Sequence, residues 1–309
     1  MHSSGYHYLV KNDSTTKVKV KSIHDSKFSA YGQSQSKLSL LKNSKGQYYV
    51  KKSAGGVSPE RLRRQIDKHK LALDNFCMNP VSVPQIFNEY EDDGYAMEYI
   101  YGELVGDYIE ICDSDELIEV SEKILSYFER NYNSCAENKV VSGIQVAKMM
   151  QEKLDKCEKN LNDNWLSRKI RNRRRDLFDI FKECDYRSGW NHGDFSFENI
   201  LITNNRKVFV FDFLDSPVDL PLIDWGRFWL DVNYGWWAQR ENNTANANLN
   251  MKKFQSQILK KARELSVSEF ELNKFALFAA LRVLPYTKKP LRKGHLSYVT
   301  NEILDTLLL

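Results

Sequence analysis

Two hydrophobic periods divide the chain. Up to about residue 100, apolar and polar positions alternate in short runs: Lys17 to Ile23, Lys37 to Leu41 and Gln47 to Lys52, with Asn43-Ser44-Lys45-Gly46 between the last two. A period of two bounded by turn residues predicts strands, and the last pair predicts a hairpin. After the loop SAGGVS, Ser58 as N-cap with Pro59 and Glu60 behind it predicts a helix running to about Phe76. Val81 to Asn88 and Tyr95 to Ile100 predict two more strands, with EDDG as their turn. Beyond Gly102 the period lengthens. Leu117, Val120, Ile124, Leu125 and Phe128 follow helical spacing within a stretch from about Asp115 to Glu183. A strand-and-loop block covers Trp190 to Asp215, and helices fill the rest. Strands first and helices after predict an α+β molecule of two parts, residues 1–100 and 103–309, with a hinge near 98–102.

Composition narrows the class. A chain of 309 residues, 42% hydrophobic and 28% charged, can bury a core in two packed lobes. The most apolar stretch, Phe275 to Leu284, contains Arg282 and falls short of the roughly 20 residues that cross a bilayer, so no membrane span is expected. The opening MHSSGYHYLVKND lacks the apolar core of a secretory signal. Cys77, Cys112, Cys135, Cys157 and Cys184 are scattered and form no C-x-x-C pair, which suits reduced thiols in the cytoplasm better than a disulfide framework or a zinc site. A net charge of +4 is too mild to imply nucleic acid.

Candidate chemistry concentrates in WNHGDFSFENILITNNRKVFVFDFLDSP. His192-Gly193-Asp194 opens a loop, and Asn199 follows five residues after Asp194. Ile200 to Ile202 predicts a short strand, Asn204-Asn205 a turn, and Val208 to Phe211 a return strand ending in Asp212. Such a hairpin brings Asn199 and Asp212 to one end, where their oxygens suit a hard cation. Asp194, on the loop entering that end, falls within reach of a substrate hydroxyl. Magnesium bridging phosphate oxygens at such a site lowers a transfer barrier by several kcal/mol.

The order H-G-D, four residues, N, an apolar strand pair and D-x-x-D resembles the catalytic and metal loops of the aminoglycoside phosphotransferase and choline kinase superfamily, relatives of the protein kinases. The resemblance implies a protein-kinase-like bilobal fold, with a small antiparallel-sheet N-lobe carrying one main helix and a larger, mostly helical C-lobe. It implies ATP- and Mg2+-dependent transfer to a hydroxyl of a small molecule, GTP being an open alternative. Asp194 would then be the catalytic base, Asn199 and Asp212 the magnesium ligands, and His192 a brace for the loop. Asp215 would be either a further metal or water ligand or a turn former before Pro217. Asp224 falls where the family keeps a helix-start aspartate, as an N-cap.

The same resemblance asks for a phosphate-holding lysine on the third strand. YYVKK offers Lys51, on one face with Tyr49, and Lys52, on the other with Val50; Lys51 is the expected one and Lys52 a solvated edge residue. YAMEYIYGE would be the interlobe connection, with Met97 behind the adenine and the backbone of Glu98, Tyr99 and Ile100 hydrogen-bonding to it. Two departures stand out. The nucleotide-covering loop FSAYGQSQSK has Gly32 but no G-x-G-x-x-G, and Gln65 stands where the family has the glutamate that pairs with the lysine, leaving Glu60 or Asp67 as alternative partners.

The acceptor is less legible. Trp225, Trp229, Trp236 and Trp237 could stack on sugar rings or enclose a quaternary ammonium, or be core, as the spacing of Trp229, Val232 and Trp236 requires of some. The basic runs RKIRNRRR (168–175) and TKKPLRKG (287–294) lean away from a cationic aminoglycoside and toward a neutral or anionic acceptor such as a sugar or sugar derivative. The first run reads as a solvated helix face or as a patch for an anionic partner. Three other readings stay open: a catalytically weak or inactive nucleotide-binding protein, a protein kinase, although no A-P-E-like segment is present, and a basic nucleic-acid-binding module.

Overall fold

The hairpin expected from residue 37 opens the described part of the chain. The computed structural model describes residues 36–308 apart from 55, 57, 76–79, 91–93, 136–138, 162–163, 217 and 237–244. The strand expected at 17–23, the covering loop with Gly32, the helix end at Phe76, Cys77, most of the EDDG turn, Pro217 and Trp237 lie outside the described residues.

β1 (Lys37–Lys42) and β2 (Tyr48–Ser53) pair antiparallel, Leu38 opposite Lys52 and Leu40 opposite Val50. Asn43 ties their turn, its Oδ1 accepting from Lys45 N at 3.0 Å and Gln47 N at 2.9 Å. α1 (Pro59–Asn75) begins where the Ser58 hydroxyl accepts from Arg61 N at 3.3 Å. After β3 (Val81–Ser82), β4 (Ile86–Tyr90) and β5 (Gly94–Glu98) complete an antiparallel sheet of order β1-β2-β5-β4. Val50, Tyr95 and Met97 of this sheet, with Tyr99 just beyond it, pack with Leu62 and Ile66 of α1 into a small core.

The strand expected over Val81–Asn88 is two strands. Pro84, which offers no backbone donor, falls between them. β3 leaves the first sheet and joins a second one, built from β6 (Glu103–Leu104), β9 (Ile200–Ile202) and β10 (Val208–Val210) in the order β3-β10-β9-β6. β9 and β10 form the expected antiparallel hairpin, and β3 runs parallel to β10, Val81 opposite Val208.

The remainder is helical: α2 (Val105–Ile111), α3 (Ser114–Asn133), α4 (Gly143–Asn160), α5 (Trp165–Lys182), α6 (Pro221–Tyr234), α7 (Ala245–Glu264), α8 (Glu269–Val283) and α9 (Pro290–Leu308), with the short pair β7 (Val140–Val141) and β8 (Tyr186–Arg187). Reciprocal capping boxes start α3 at Asp113 and Glu116 and α8 at Ser268 and Glu271. α6 and α8 lie so close that a Cβ on Gly226 would stand 2.2 Å from the Phe275 carbonyl carbon. The α+β, kinase-like architecture expected from the residue pattern is the architecture observed.

Two expectations about the surface resolve here. The basic run on α5 ties helices together: Arg174 meets Asp155 (2.5 Å) and Glu158 (3.1 Å) of α4, and Lys169 meets Asp305 (2.5 Å) of α9. Among the described residues, no helix is long and apolar enough to cross a membrane.

Candidate active site

A cleft of about 530 Å³, open to solvent, lies between the first sheet and the β9–β10 hairpin. Leu38, Val50, Tyr95, Met97, Glu98 and Ile100 line it from one side, and Leu201, Phe211 and Asp212 from the other. Apolar walls with a few polar groups suit a planar base carrying a charged tail. Of the residues expected around the adenine, Met97, Glu98 and Ile100 line the cleft, whereas Tyr99 is buried in the small core and packs against Tyr48 at 6.0 Å between ring centroids. Glu98 is fixed from the neighbouring segment: its N donates to Gln85 O at 2.7 Å and its Oε2 accepts from Gln85 N at 3.1 Å.

The lysine in the cleft is Lys52, not Lys51. β2 turns Val50 and Lys52 toward the cleft, opposite Met97 and Tyr95 of β5. Lys51, one residue off, falls on the other face. Lys52, its side chain 3% exposed, forms an ion pair with Asp212 Oδ1. Burial works against its charge, and Asp212 outweighs burial, leaving the ammonium above its ordinary pKa. Neither Glu60 nor Asp67 partners it; both are exposed on α1, while Gln65 is buried with its Oε1 unbonded among the described residues. The acid that pairs with Lys52 is Asp212.

The loop from His192 to Asp194 is held from beneath. Asp224 is not an N-cap: α6 starts at Pro221, and the Asp224 carboxylate instead accepts from His192 N (2.6 Å), Gly193 N (2.9 Å) and the Tyr127 hydroxyl (2.7 Å). Burial pushes its carboxyl up to about 6 against those bonds. Gly193 sits at φ +86°, and a Cβ there would meet Leu214 O at 2.4 Å, so the turn requires glycine. His192 Nε2 donates to Phe211 O at 2.8 Å, and Nδ1 accepts from Asp194 N at 3.3 Å. That pattern requires the neutral ring, consistent with burial holding its pKa down at about 3. His192 therefore braces the loop against the return strand.

The Asp194 carboxylate accepts three side-chain bonds. Arg227 Nε donates to its Oδ1 at 3.1 Å, Arg282 Nη2 donates to the same oxygen, and Asn199 Nδ2 reaches Oδ2 at 3.3 Å. Burial raises this carboxyl, and the two guanidiniums overrule it, so the acid lies below the ordinary carboxylate range. Arg227 is itself paired with Asp231 at 3.0 Å, and Asp231 also accepts from Phe197 N at 2.9 Å. Neither arginine was expected from the sequence. They lie 33 and 88 residues from Asp194, on α6 and α8, and belong to no local pattern.

The candidate cation ligands Asn199 and Asp212 lie at the two ends of the hairpin strands, joined through the main chain. Phe211 N donates to Asn199 O at 3.1 Å, which sets Asn199 beside the start of the Asp212 turn. Asn199 commits its Nδ2 to Asp194, also donating to the main-chain oxygen at 2.9 Å, which orients its Oδ1 away. Asp212 holds the left-handed φ of +63°, uncommon for a residue with a Cβ. Asp215 is bound instead by Arg64 of α1 at 2.5 Å. Lys68, one turn further along α1, donates to Asn191 Oδ1 at 2.7 Å and Leu214 O at 2.8 Å. Trp225, Trp229 and Trp236 are core residues, each 2% exposed or less, and present no stacking face to a ligand.

The fold is kinase-like, and the comparisons with known proteins bear on its class. Residues 130–262, which contain the loop from His192 to Asp212, match the phosphotransferase enzyme family. No curated protein matches the sequence. Among solved structures, a choline kinase from Cryptosporidium parvum aligns with a TM-score of 0.58 at 11% identity, covering 94% of this chain and 88% of that one. A glucosamine kinase in complex with glucosamine, ADP and inorganic phosphate aligns at 0.56 and 16% identity, covering 84% and 76%. The ADP-bound aminoglycoside phosphotransferase APH(2'')-Ib aligns at 0.52 and 16% identity, covering 99% and 95%. At these identities the likeness is one of fold, and the fold resemblance expected from the H-G-D segment is met.

Proposed function

We propose that the protein transfers the γ-phosphoryl group of ATP, with Mg2+, to a hydroxyl of a small molecule of the sugar or sugar-derivative kind. One observation carries the reading: Lys52 and Asp212 pair in the lining of an apolar cleft, Asn199 Nδ2 reaches Asp194, and Phe211 N, one residue before Asp212, donates to Asn199 O. The residues fit what they would hold. Asn199 Oδ1 and the Asp212 carboxylate are hard oxygen donors for magnesium, and Lys52 stands ready for phosphate oxygens. Met97, Leu201 and the backbone beyond β5 offer a slot for the base. The cation would neutralise charge developing between the β- and γ-phosphates.

Asp194 orients the acceptor hydroxyl and receives its proton as the oxygen bonds to phosphorus and the bond to the β-phosphate oxygen breaks. Its depressed pKa makes it a weak base, which suffices because phosphoryl transfer through a loose transition state asks chiefly for positioning. The two arginines keep the carboxylate ionised and fixed.

ADP release with magnesium-ATP across sugars, amino alcohols, aminoglycosides and generic protein substrates tests the proposal. Acceptor-dependent release is expected, falling about 10²–10⁴-fold in Asp194→Asn while nucleotide binding persists. Unchanged release in that variant removes Asp194 from its role. Nucleotide binding with no turnover on any acceptor would favour an inactive kinase-like protein, and failure to bind ATP would overturn the reading.

A further inference from the structure

Positive charge gathers around Asp194. Of the two guanidiniums on Asp194, Arg227 is internal, its side chain 3% exposed and its charge balanced by Asp231. Arg282 is different. Its side chain is 23% exposed, and it donates to Gly193 O and Asp194 Oδ1; among the described residues Asp194 is its one acidic partner and its other N–H groups have none. One turn earlier on α8, the Phe278 ring lies under Lys153 Nζ of α4 at 5.9 Å. Among the described residues no carboxylate stands within ion-pair distance of Lys153. Its ammonium is held below the ordinary lysine range by burial first, then by the charges of Lys156 and Arg282, with Glu152 the acid that tempers them.

The carboxylates around Asp194 are already committed. Asp194 is shared by two guanidiniums, Asp231 is bound to Arg227, Glu198 meets Arg292 at 3.4 Å, and Asp224 is turned inward to the loop amides. An ammonium-bearing acceptor would approach two cations, Arg282 and Lys153, with Glu152 the one acid acting on Lys153. A carboxylate or phosphate would find the open edge of a guanidinium already fixed by two bonds, with the charge of Lys153, carried on the adjoining α4, acting on the same place.

We propose that the acceptor carries an anionic oxygen group, a carboxylate or a phosphate, near the hydroxyl to be phosphorylated, and that Arg282 and Lys153 bind it. The inference rests on the phosphotransferase reading of the cleft. Arg282 and Lys153 are in this view specificity-determining residues, and Asp194 keeps its place at the reacting atoms.

Calorimetry on the full chain saturated with magnesium and a non-hydrolysable ATP analogue tests it, with glucose, glucosamine, gluconate and glucose 6-phosphate as probes matched in hydroxyls and differing in charge. Gluconate or glucose 6-phosphate is expected to bind about tenfold or more tightly than glucose, and glucosamine more weakly than glucose. The two anionic arms separate carboxylate from phosphate. Lys153→Met and Arg282→Gln should each lower the anion's affinity about tenfold, with Arg282→Lys keeping part of it. Glucosamine or glucose binding as well as the anions, no binding by either anion, or an unchanged anion affinity in Lys153→Met would each overturn the inference. If the analogue binds and the anions do not, this inference alone fails; if the analogue does not bind, the phosphotransferase reading fails and takes the inference with it.

Discussion

A lysine side chain 3% exposed keeps its proton only because a carboxylate stands against it, and for Lys52 that carboxylate is Asp212. Removing one partner of such a pair leaves the other charge without compensation. Lys52→Met is therefore expected to weaken magnesium-nucleotide binding about tenfold or more, and Lys51→Met to change it less than about twofold. Calorimetry on both variants decides between the adjacent positions; equal losses would reject the assignment. Alternation alone could not choose the face. Tyr49 and Val50 are both buried, so β2 is apolar on either side and the period of two carries no label for the cleft. Asp194, Asn199 and Asp212 stood out in the sequence because they fall in one short loop-and-hairpin segment. Arg227 and Arg282 were not, because helix packing alone brings them to Asp194.

α1 does more than cover the sheet. Arg64 and Lys68 hold Asp215, Leu214 O and Asn191, which flank Asp212 and the H-G-D loop. Lys68→Met would leave two part-buried acceptors without their donor, at about 1–3 kcal/mol. It should lower kcat more than it raises KM for ATP, with partial recovery in Lys68→Arg. A change confined to thermal stability would make Lys68 merely structural. The contact of α6 with α8 makes a second demand. Gly226→Ala would drive a methyl into the Phe275 backbone and should destabilise the fold by about 3 kcal/mol or more, read as a drop in the denaturant midpoint. Helix starts were legible where Ser58 and Pro59 mark one. The division of Val81–Asn88 between two sheets was not, since both halves have strand composition and Pro84 is the single sign of a break.

Across the molecule, buried ionisable groups set the response to acid. His69, bonded through Nε2 to Pro84 O at 2.7 Å, and His192 are held by burial at about 4 and about 3. Both folded values lie below the unfolded value near 6.5, so the unfolded chain binds protons first and stability falls as pH drops below that point. By pH 5 each histidine contributes a loss of about 2 kcal/mol. Asp224 acts in the opposite sense. Its folded value, raised to about 6, makes protonation favour the folded state between 6 and its unfolded value, returning about 1 kcal/mol by pH 5. A net fall in Tm of several degrees between pH 7 and pH 5 is expected by calorimetry, and a flat profile would contradict it.

The pairing of Val81–Ser82 with β10 has a consequence for anyone who would take the chain apart. A scission near residues 98–102 would not yield two self-sufficient pieces, because the first fragment would carry away an edge of the sheet that holds the β9–β10 hairpin. The remaining fragment would expose the main-chain groups of Val208 and Phe209, an open seam apt to recruit another chain. Chimaeras that exchange the first sheet as a unit must therefore keep Val81 and Ser82 matched to the β10 they pair with, because a crossover before Val81 would instead part β2 from β5.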